Sequence, residues 1–166
     1  MYSVGEYIVH PGQGVCRVEG VAENPIEVYQ LLPIGQRHPM RISYPVANED
    51  KLRPILSHDE ALEIIEQYPT MTMEGFEAKS NALEEEHFKQ EIRRGSCRDS
   101  VRIVKTFRHR IAQTKARNKK PPVVYERILK QASQRSLEEL SVALEMPIDD
   151  VRMLFERYDD EGVLNN

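Results

Sequence analysis

Tyr7-Ile8-Val9-His10-Pro11-Gly12-Gln13-Gly14-Val15-Cys16-Arg17-Val18-Glu19-Gly20-Val21 decides the fold of the first third of the chain. Tyr7–His10 is a short apolar run. Pro11-Gly12-Gln13-Gly14 is a turn made of residues that fix or tolerate unusual φ. From Val15 to Val21 the pattern alternates, with Cys16, Val18 and Gly20 opposing the odd positions. Strand, tight turn and strand are therefore expected. Working outward, residues 26–32 form another run of β-branched and aromatic residues. Met40-Arg41-Ile42-Ser43-Tyr44-Pro45-Val46 alternates through Tyr44 as a half-buried strand does. Four or five short strands over residues 1–56 predict a small, strongly bent β-sheet or open barrel.

The period changes at Ser57. Ser57-His58-Asp59-Glu60 fits a capping box, and Ala61, Leu62, Ile64, Ile65 and Tyr68 follow helical spacing until Pro69. Beyond it the chain reads as helical. One helix is expected from about Glu74 or Ala82 to Arg94, stopped by Gly95 as a C′ glycine. The next begins at Ser96 and Asp99 with the stripe Val101, Val104, Phe107/Arg108 and Ile111. Pro121-Pro122 interrupts it, and Val124, Ile128 and Leu129 point inward from the helix that follows. Ser136-Leu137-Glu138-Glu139 reads as a second capping box, leading into Leu140, Ala143 and Leu144. Pro147 is expected at N1 of a last helix bearing Val151, Leu154, Phe155 and Tyr158, with residues 162–166 as a loose tail. The fold class is α+β: a β domain over 1–56, a connecting helix over 57–68, and a helical bundle over 69–166.

Charge is distributed unevenly along this scaffold. Between Phe88 and Arg135 stand 15 Lys and Arg against three acids, Glu91, Asp99 and Glu126. Residues 1–87 hold 6 basic and 15 acidic residues, and residues 136–166 hold 2 and 9. The net charge of −4 conceals this polarity. A concentrated basic stretch points to a polyanion, most directly nucleic acid, because Lys and Arg displace counterions from phosphates. Arg98, Arg102 and Lys105 are spaced i, i+4, i+7 and share a helical face. Arg108, Arg110, Lys115, Arg117, Lys119 and Lys120 continue toward Pro121, and Arg127 and Lys130 follow. Few aromatics are interleaved, so contact is expected with backbone phosphate and little with base edges.

Other chemistries find no support in the residue pattern. His10, His38, His58, His87 and His109 have no metal-like spacing to further ligands, and Glu84-Glu85-Glu86-His87 reads as a solvated acidic face. Pro11–Gly14 lacks the Lys-Ser/Thr of a phosphate loop and joins strand to strand. No nucleophile stands beside a base, so no enzyme, cofactor or metal is expected. Two distant cysteines, Cys16 and Cys97, suggest thiols in a reducing cytoplasm. The opening residues carry no cationic-then-apolar segment, and no apolar run reaches 18 residues, so neither signal peptide nor membrane span is expected.

Gly5-Glu6-Tyr7-Ile8-Val9-His10-Pro11-Gly12-Gln13-Gly14-Val15 resembles the opening of the CarD/CdnL family of bacterial transcription factors, whose usual form is Gly-Asp-x-Val-Val-Tyr-Pro-x-x-Gly-Val. Tyr44-Pro45-Val46-Ala47-Asn48 is similar to its Val-Pro-x-x-Asn element, and Leu52-Arg53-Pro54-Ile55-Leu56-Ser57 to its step into a helix. The resemblance implies a Tudor-like N-terminal domain that docks on the β subunit of RNA polymerase. It also implies a helical domain on promoter DNA that stabilises the open complex, in a monomeric, nucleoid-associated protein. The exposed strand Arg41-Ile42-Ser43-Tyr44 is the expected polymerase edge. Arg98, Arg102, Lys105, Arg108, Arg110, Lys115, Arg117, Lys119, Lys120, Arg127 and Lys130 are the expected DNA contacts. The family's helical domain usually carries a Trp wedge. This chain has no Trp, and Phe76 is the nearest aromatic before Gly95. Two rival readings remain. One is a free-standing helix-turn-helix regulator using Leu137–Tyr158, although that segment is rich in acids. The other is an adaptor whose basic face binds protein or RNA.

Overall fold

A computed structural model describes the backbone of residues 1–23 and 25–164 and the side chains as far as Arg157, Asn24 excepted. The chain divides into two compact units, Met1–Ser57 and His58–Asn166. The first is an antiparallel sheet of β1 (Tyr7–His10), β2 (Gly14–Glu23), β3 (Glu27–Pro33), β4 (Ile42–Pro45) and β5 (Arg53–Pro54), in the order β4-β3-β2-β1-β5. Val9 pairs with Val15 and Tyr29 with Tyr44. A bulge between Val18 and Gly20 bends β2. The two glycines that flank β1 in the motif, Gly5 and Gly14, have φ of 90° and 78°, a region that a side chain rarely tolerates. Between them His10 accepts backbone N–H bonds from Gly12 and Gln13 on Nδ1, at 3.0 and 3.1 Å, and so organises the Pro11–Gln13 turn. Ile8, Cys16, Val18, Tyr29, Leu31 and Leu52 form the core under the sheet.

The buried Tyr29 needs a partner for its hydroxyl. It donates to Glu49 Oε2 and accepts from the Tyr2 backbone N–H at 2.9 Å, tying the chain start to the 3-10 turn Val46–Lys51. Burial, and then the bond to Glu49, raise the phenol pKa.

The second unit contains α1 (His58–Gln67), α2 (Asn81–Arg94), α3 (Cys97–Ala116), α4 (Val123–Leu144) and α5 (Ile148–Leu164). The helix read from sequence as a connection is α1, which lies inside this unit. Phe88 and Ile92 of α2, Ile103, Val104 and Phe107 of α3, and Val124, Ile128 and Ala132 of α4 form its core. Phe88, Phe107 and Tyr125 meet edge to face at 4.9 and 5.3 Å. On α5, Val151 and Phe155 are buried as its apolar spacing requires, and Phe155 meets Tyr68 edge-on at 5.1 Å. The Tyr158 side chain lies outside the described residues; of the loose tail expected over 162–166, residues 162–164 instead continue α5, and 165 and 166 lie outside the described residues.

The helix boundaries separate two similar-looking motifs. Ser96 and Asp99 form a complete capping box at the start of α3, Ser96 Oγ accepting from the Asp99 N–H at 3.2 Å and Asp99 Oδ2 from the Ser96 N–H at 2.9 Å. The second box expected at Ser136 does not cap anything. Helix α4 runs through it, and the buried Ser136 hydroxyl donates back to the Ala132 carbonyl at 2.8 Å. That bond leaves the hydroxyl satisfied without opening the helix.

Gly95 is likewise needed for a different reason than expected. Its φ of −81° is open to any residue, so it is not a left-handed cap. A Cβ there would lie 2.5 Å from the Glu91 carbonyl oxygen and 2.9 Å from Asp99 Oδ2. Gly95→Ala should therefore cost about 1–3 kcal/mol, the range for an overpacked site; urea unfolding with a midpoint equal to the parent would refute this.

Glu138 is buried on α4, with Gln134 Nε2 donating to it at 3.2 Å. Burial pushes its carboxyl pKa above the ordinary 4.5, against smaller opposing effects from Gln134 and Arg135. A carboxyl raised in the folded state is penalised once ionised, so stability falls as pH rises from 4.5 through the raised value. Glu138→Gln should raise Tm at about pH 7 and leave it unchanged at about pH 4. Parallel Tm–pH curves for the two proteins would contradict the assignment.

Candidate functional site

In the N-terminal unit the candidate surface is the outer edge of β4. Period-2 alternation sorts its residues. Ile42 and Tyr44 turn inward and pack against the core, and the Tyr44 hydroxyl donates to the Asn48 carbonyl at 3.1 Å. Ser43 and the preceding Arg41 are exposed, with Ser43 Oγ near the Gln30 amide across the strand pair. Of the four residues expected to meet a partner, two therefore offer side chains and two offer backbone. Pro45, the last residue of β4, offers no N–H, so main-chain donors on this strand come from Ile42–Tyr44.

In the helical unit, the 3-10 turn Tyr68–Thr70 leads into residues 71–80, which form no helix or strand. Their backbone groups still need partners, and α3 supplies them. Lys105 Nζ donates to the carbonyls of Tyr68, Pro69 and Met71 at 2.9, 2.9 and 2.7 Å. Thr106 Oγ1 accepts the Glu74 N–H at 2.8 Å, and Arg110 Nη2 donates to the Phe76 carbonyl at 2.7 Å. Arg102 stands 3.8 Å from Glu74. Arg102, Lys105, Thr106 and Arg110 are i, i+3, i+4, i+8, one face of a helix. That face fastens a strap of main chain to the bundle.

The strap orders the acids and aromatics of α2. Glu84, expected in solvent, is 5% exposed; it accepts the Ala78 N–H at 3.3 Å and lies 3.8 Å from Arg110 Nη1. The Arg110 guanidinium rests over the Phe107 and Phe88 rings, at 4.9 and 5.7 Å. Phe76 stacks on His87 with ring centroids 3.6 Å apart and meets Phe88 edge-on. Glu85 is paired with Arg127 through two bonds of 3.0 Å, which lowers the Glu85 pKa. The solvated acidic face expected over 84–87 is thus largely engaged; only Glu86 remains exposed. Phe76 keeps 38% of its surface exposed.

Residues 2–56 match the family model of the CarD-like/TRCF RID domain. The N-terminal unit is similar to an RID domain over nearly its whole length. This agrees with the resemblance carried by Gly5–Val15 and Tyr44–Asn48, and with the Tudor-like fold it implied. RID domains as a family bind the β subunit of RNA polymerase and are interaction modules, not catalysts. The match stops at residue 56, before the helices begin. No curated protein sequence matches the chain significantly. Among the described residues no three His, Cys, Asp or Glu side chains converge as metal ligands, and no helix is long and apolar enough to cross a membrane.

Beyond the RID domain, the expected DNA-contacting residues separate into groups. Lys105 and Arg110 serve the interior, because strap carbonyls and aromatic faces take up their donors. Arg102 lies between Glu74 and Asp99, at 3.8 and 3.9 Å, and Arg127 is held by Glu85. Arg108 is half-buried within the bundle. Lys115, Arg117, Lys119 and Lys120 are all exposed at the end of α3 and the turn before α4, and Lys130 is exposed on α4. Asn118, left-handed at φ 56°, turns the chain in the middle of that cluster. Among the described residues these five cations carry no ion pair. The helix-turn-helix reading also changes, since α4 is one helix of 22 residues and α5 opens with Asp149 and Asp150.

Sequence reasoning overlooked Thr106, whose only local mark was a polar residue inside an apolar helical stripe, and read Glu84 as solvated; both have strap amides as partners. Lys105→Met removes three carbonyl bonds while keeping the stem. It should cost about 2 kcal/mol, as loss of a charged donor does, and speed amide exchange at Glu74. Unaltered exchange there would show that the strap holds without Lys105.

Proposed function

We propose that this protein is a transcription regulator that binds the β subunit of RNA polymerase through its RID domain and contacts promoter DNA through its helical unit, stabilising the open complex. The RID match over residues 2–56 carries the proposal. The open edge of β4 supports it physically. An extended segment of a partner can add to that edge by main-chain hydrogen bonds, with Arg41 and Ser43 set to choose the partner's charge and register. Polymerase binding raises the local concentration of the helical unit at the promoter, so its own DNA affinity need only be weak.

The DNA contact is assigned to the unpaired cations Lys115, Arg117, Lys119, Lys120 and Lys130. They gain from phosphates through counterion release and carry no means of reading base edges. Arg102, Lys105, Arg110 and Arg127 are not part of this assignment, being committed within the fold. Phe76 retains an outward edge that can meet an unstacked base step, the role a wedge would fill.

Two double variants of the full chain test the division. Arg41→Glu/Ser43→Glu should weaken capture of the polymerase β subunit about tenfold or more by placing like charge on the edge, with affinity for a short duplex unchanged. Lys119→Ala/Lys120→Ala should do the reverse, lowering the slope of log K against log salt by about 2. A duplex that fails to bind even at low salt would reject the DNA half, and β-subunit capture indifferent to the β4 substitutions would reject the edge.

A further inference from the structure

We propose that residues 72–79 of the strap are a latch that opens when the helical unit engages DNA, surrendering Arg102 and Arg110 to backbone phosphates. The inference rests on the DNA contact proposed above and adds a regulated step to it. The latch is fixed at both ends and held lightly between them. Met71 before it is buried, and Ser80 after it caps α2 by accepting the Leu83 N–H at 3.2 Å. None of residues 72–79 is buried. A Cβ on Gly75 would meet nothing within 4 Å. The Phe76 ring rests on His87 and Phe88 and still keeps 38% of its surface exposed. Few buried apolar contacts and an exposed main chain are the marks of a segment that opens locally.

The ties that hold the latch are polar and incomplete. They are the bonds of Thr106 to the Glu74 N–H, of Arg110 to the Phe76 carbonyl and of Glu84 to the Ala78 N–H, with Arg102 reaching Glu74 only at 3.8 Å. Among the described residues four buried side-chain atoms lack a partner, and three of them belong to these side chains: Arg102 Nε, Arg110 Nη1 and Glu84 Oε2. Arg110 and Glu84 stand 3.8 Å apart, beyond hydrogen-bond distance, with side chains only 13% and 7% exposed. A buried polar atom left unpaired is costly, so the closed latch keeps its own holders under-satisfied.

A phosphate oxyanion is a stronger acceptor for a guanidinium than the neutral Phe76 carbonyl, and it can take two N–H groups at once. Arg102, Thr106 and Arg110 are i, i+4, i+8 on α3, so lifting the latch bares one face of that helix. Arg110 precedes Lys115 by five residues, about 7.5 Å along the axis, so this face continues the exposed cations already assigned to DNA. One consequence separates a latch from a merely structural strap. If only the open form makes the full contact, apparent affinity scales with the fraction of protein that is open. Weakening the latch without removing a cation then tightens DNA binding.

The test follows amide hydrogen exchange by NMR in the full chain, free and saturated with a short DNA duplex at low salt. The Glu74 and Ala78 amides should exchange about tenfold faster or more in the complex, since each loses its partner when the latch opens, while the Ala132 amide in the core of α4 keeps its rate. Thr106→Val preserves side-chain shape and charge and removes the acceptor of the Glu74 N–H. It should bind the duplex about fivefold more tightly, the effect of one hydrogen bond lost from the closed form. Slower or unchanged exchange at Glu74 and Ala78 in a saturated complex overturns the latch and leaves the DNA contact standing. Equal or weaker duplex affinity in Thr106→Val also overturns it. A duplex that does not bind at low salt overturns both readings.

Discussion

The helical unit depends on the attachment of an irregular stretch of main chain to one face of α3. Residues 71–80 make no regular structure and follow the short 3-10 turn Tyr68–Thr70, and the polar backbone groups of this stretch would be costly to leave unmet beside a core. Lys105 meets three carbonyls with its three protons, Arg110 a fourth, and Thr106 an amide. Desolvation lowers the Lys105 pKa, the sign expected of an ammonium drawn away from water. The arrangement also sets where Phe76, His87 and Glu84 lie, because the strap brings Phe76 onto α2 and delivers the Ala78 amide to Glu84.

This attachment changes what the basic stretch means. A run of cations on a helix is usually a solvated face or a polyanion site. Here the same spacing serves a third purpose, the satisfaction of carbonyls. The charge left over is concentrated at the α3–α4 turn, where Lys115, Arg117, Lys119 and Lys120 surround Asn118.

Much of the architecture was legible in the residues. The hairpin around Pro11–Gly14, the alternation of β4 and the helix start at Ser96 and Asp99 are all present, since each is governed by neighbours within a few positions. Ser136-Leu137-Glu138-Glu139 shows the limit of such reasoning. Its letters match a capping box as well as those at Ser96 do, yet it lies within a continuous helix whose surroundings bury Ser136, Glu138 and Glu139. Gly95 was legible as a break, but the cause is the approach of the Glu91 carbonyl, not the backbone angle. The acidic run at Glu84 misled for a related reason, because hydration was inferred from composition and the buried partner, Arg110, lies on another helix.

The sequence by itself determined the strands and their turn, the positions of most helices, the likeness of the N-terminal unit to RID domains and the division of charge along the chain. These follow from short-range periodicity, from φ requirements and from simple counting. Only the tertiary structure decided which cations are available to a partner. The groups that occupy Lys105 and Arg110 are main-chain carbonyls from more than thirty positions away, and a carbonyl is the same for every residue type, so it leaves no trace in the letters that carry it.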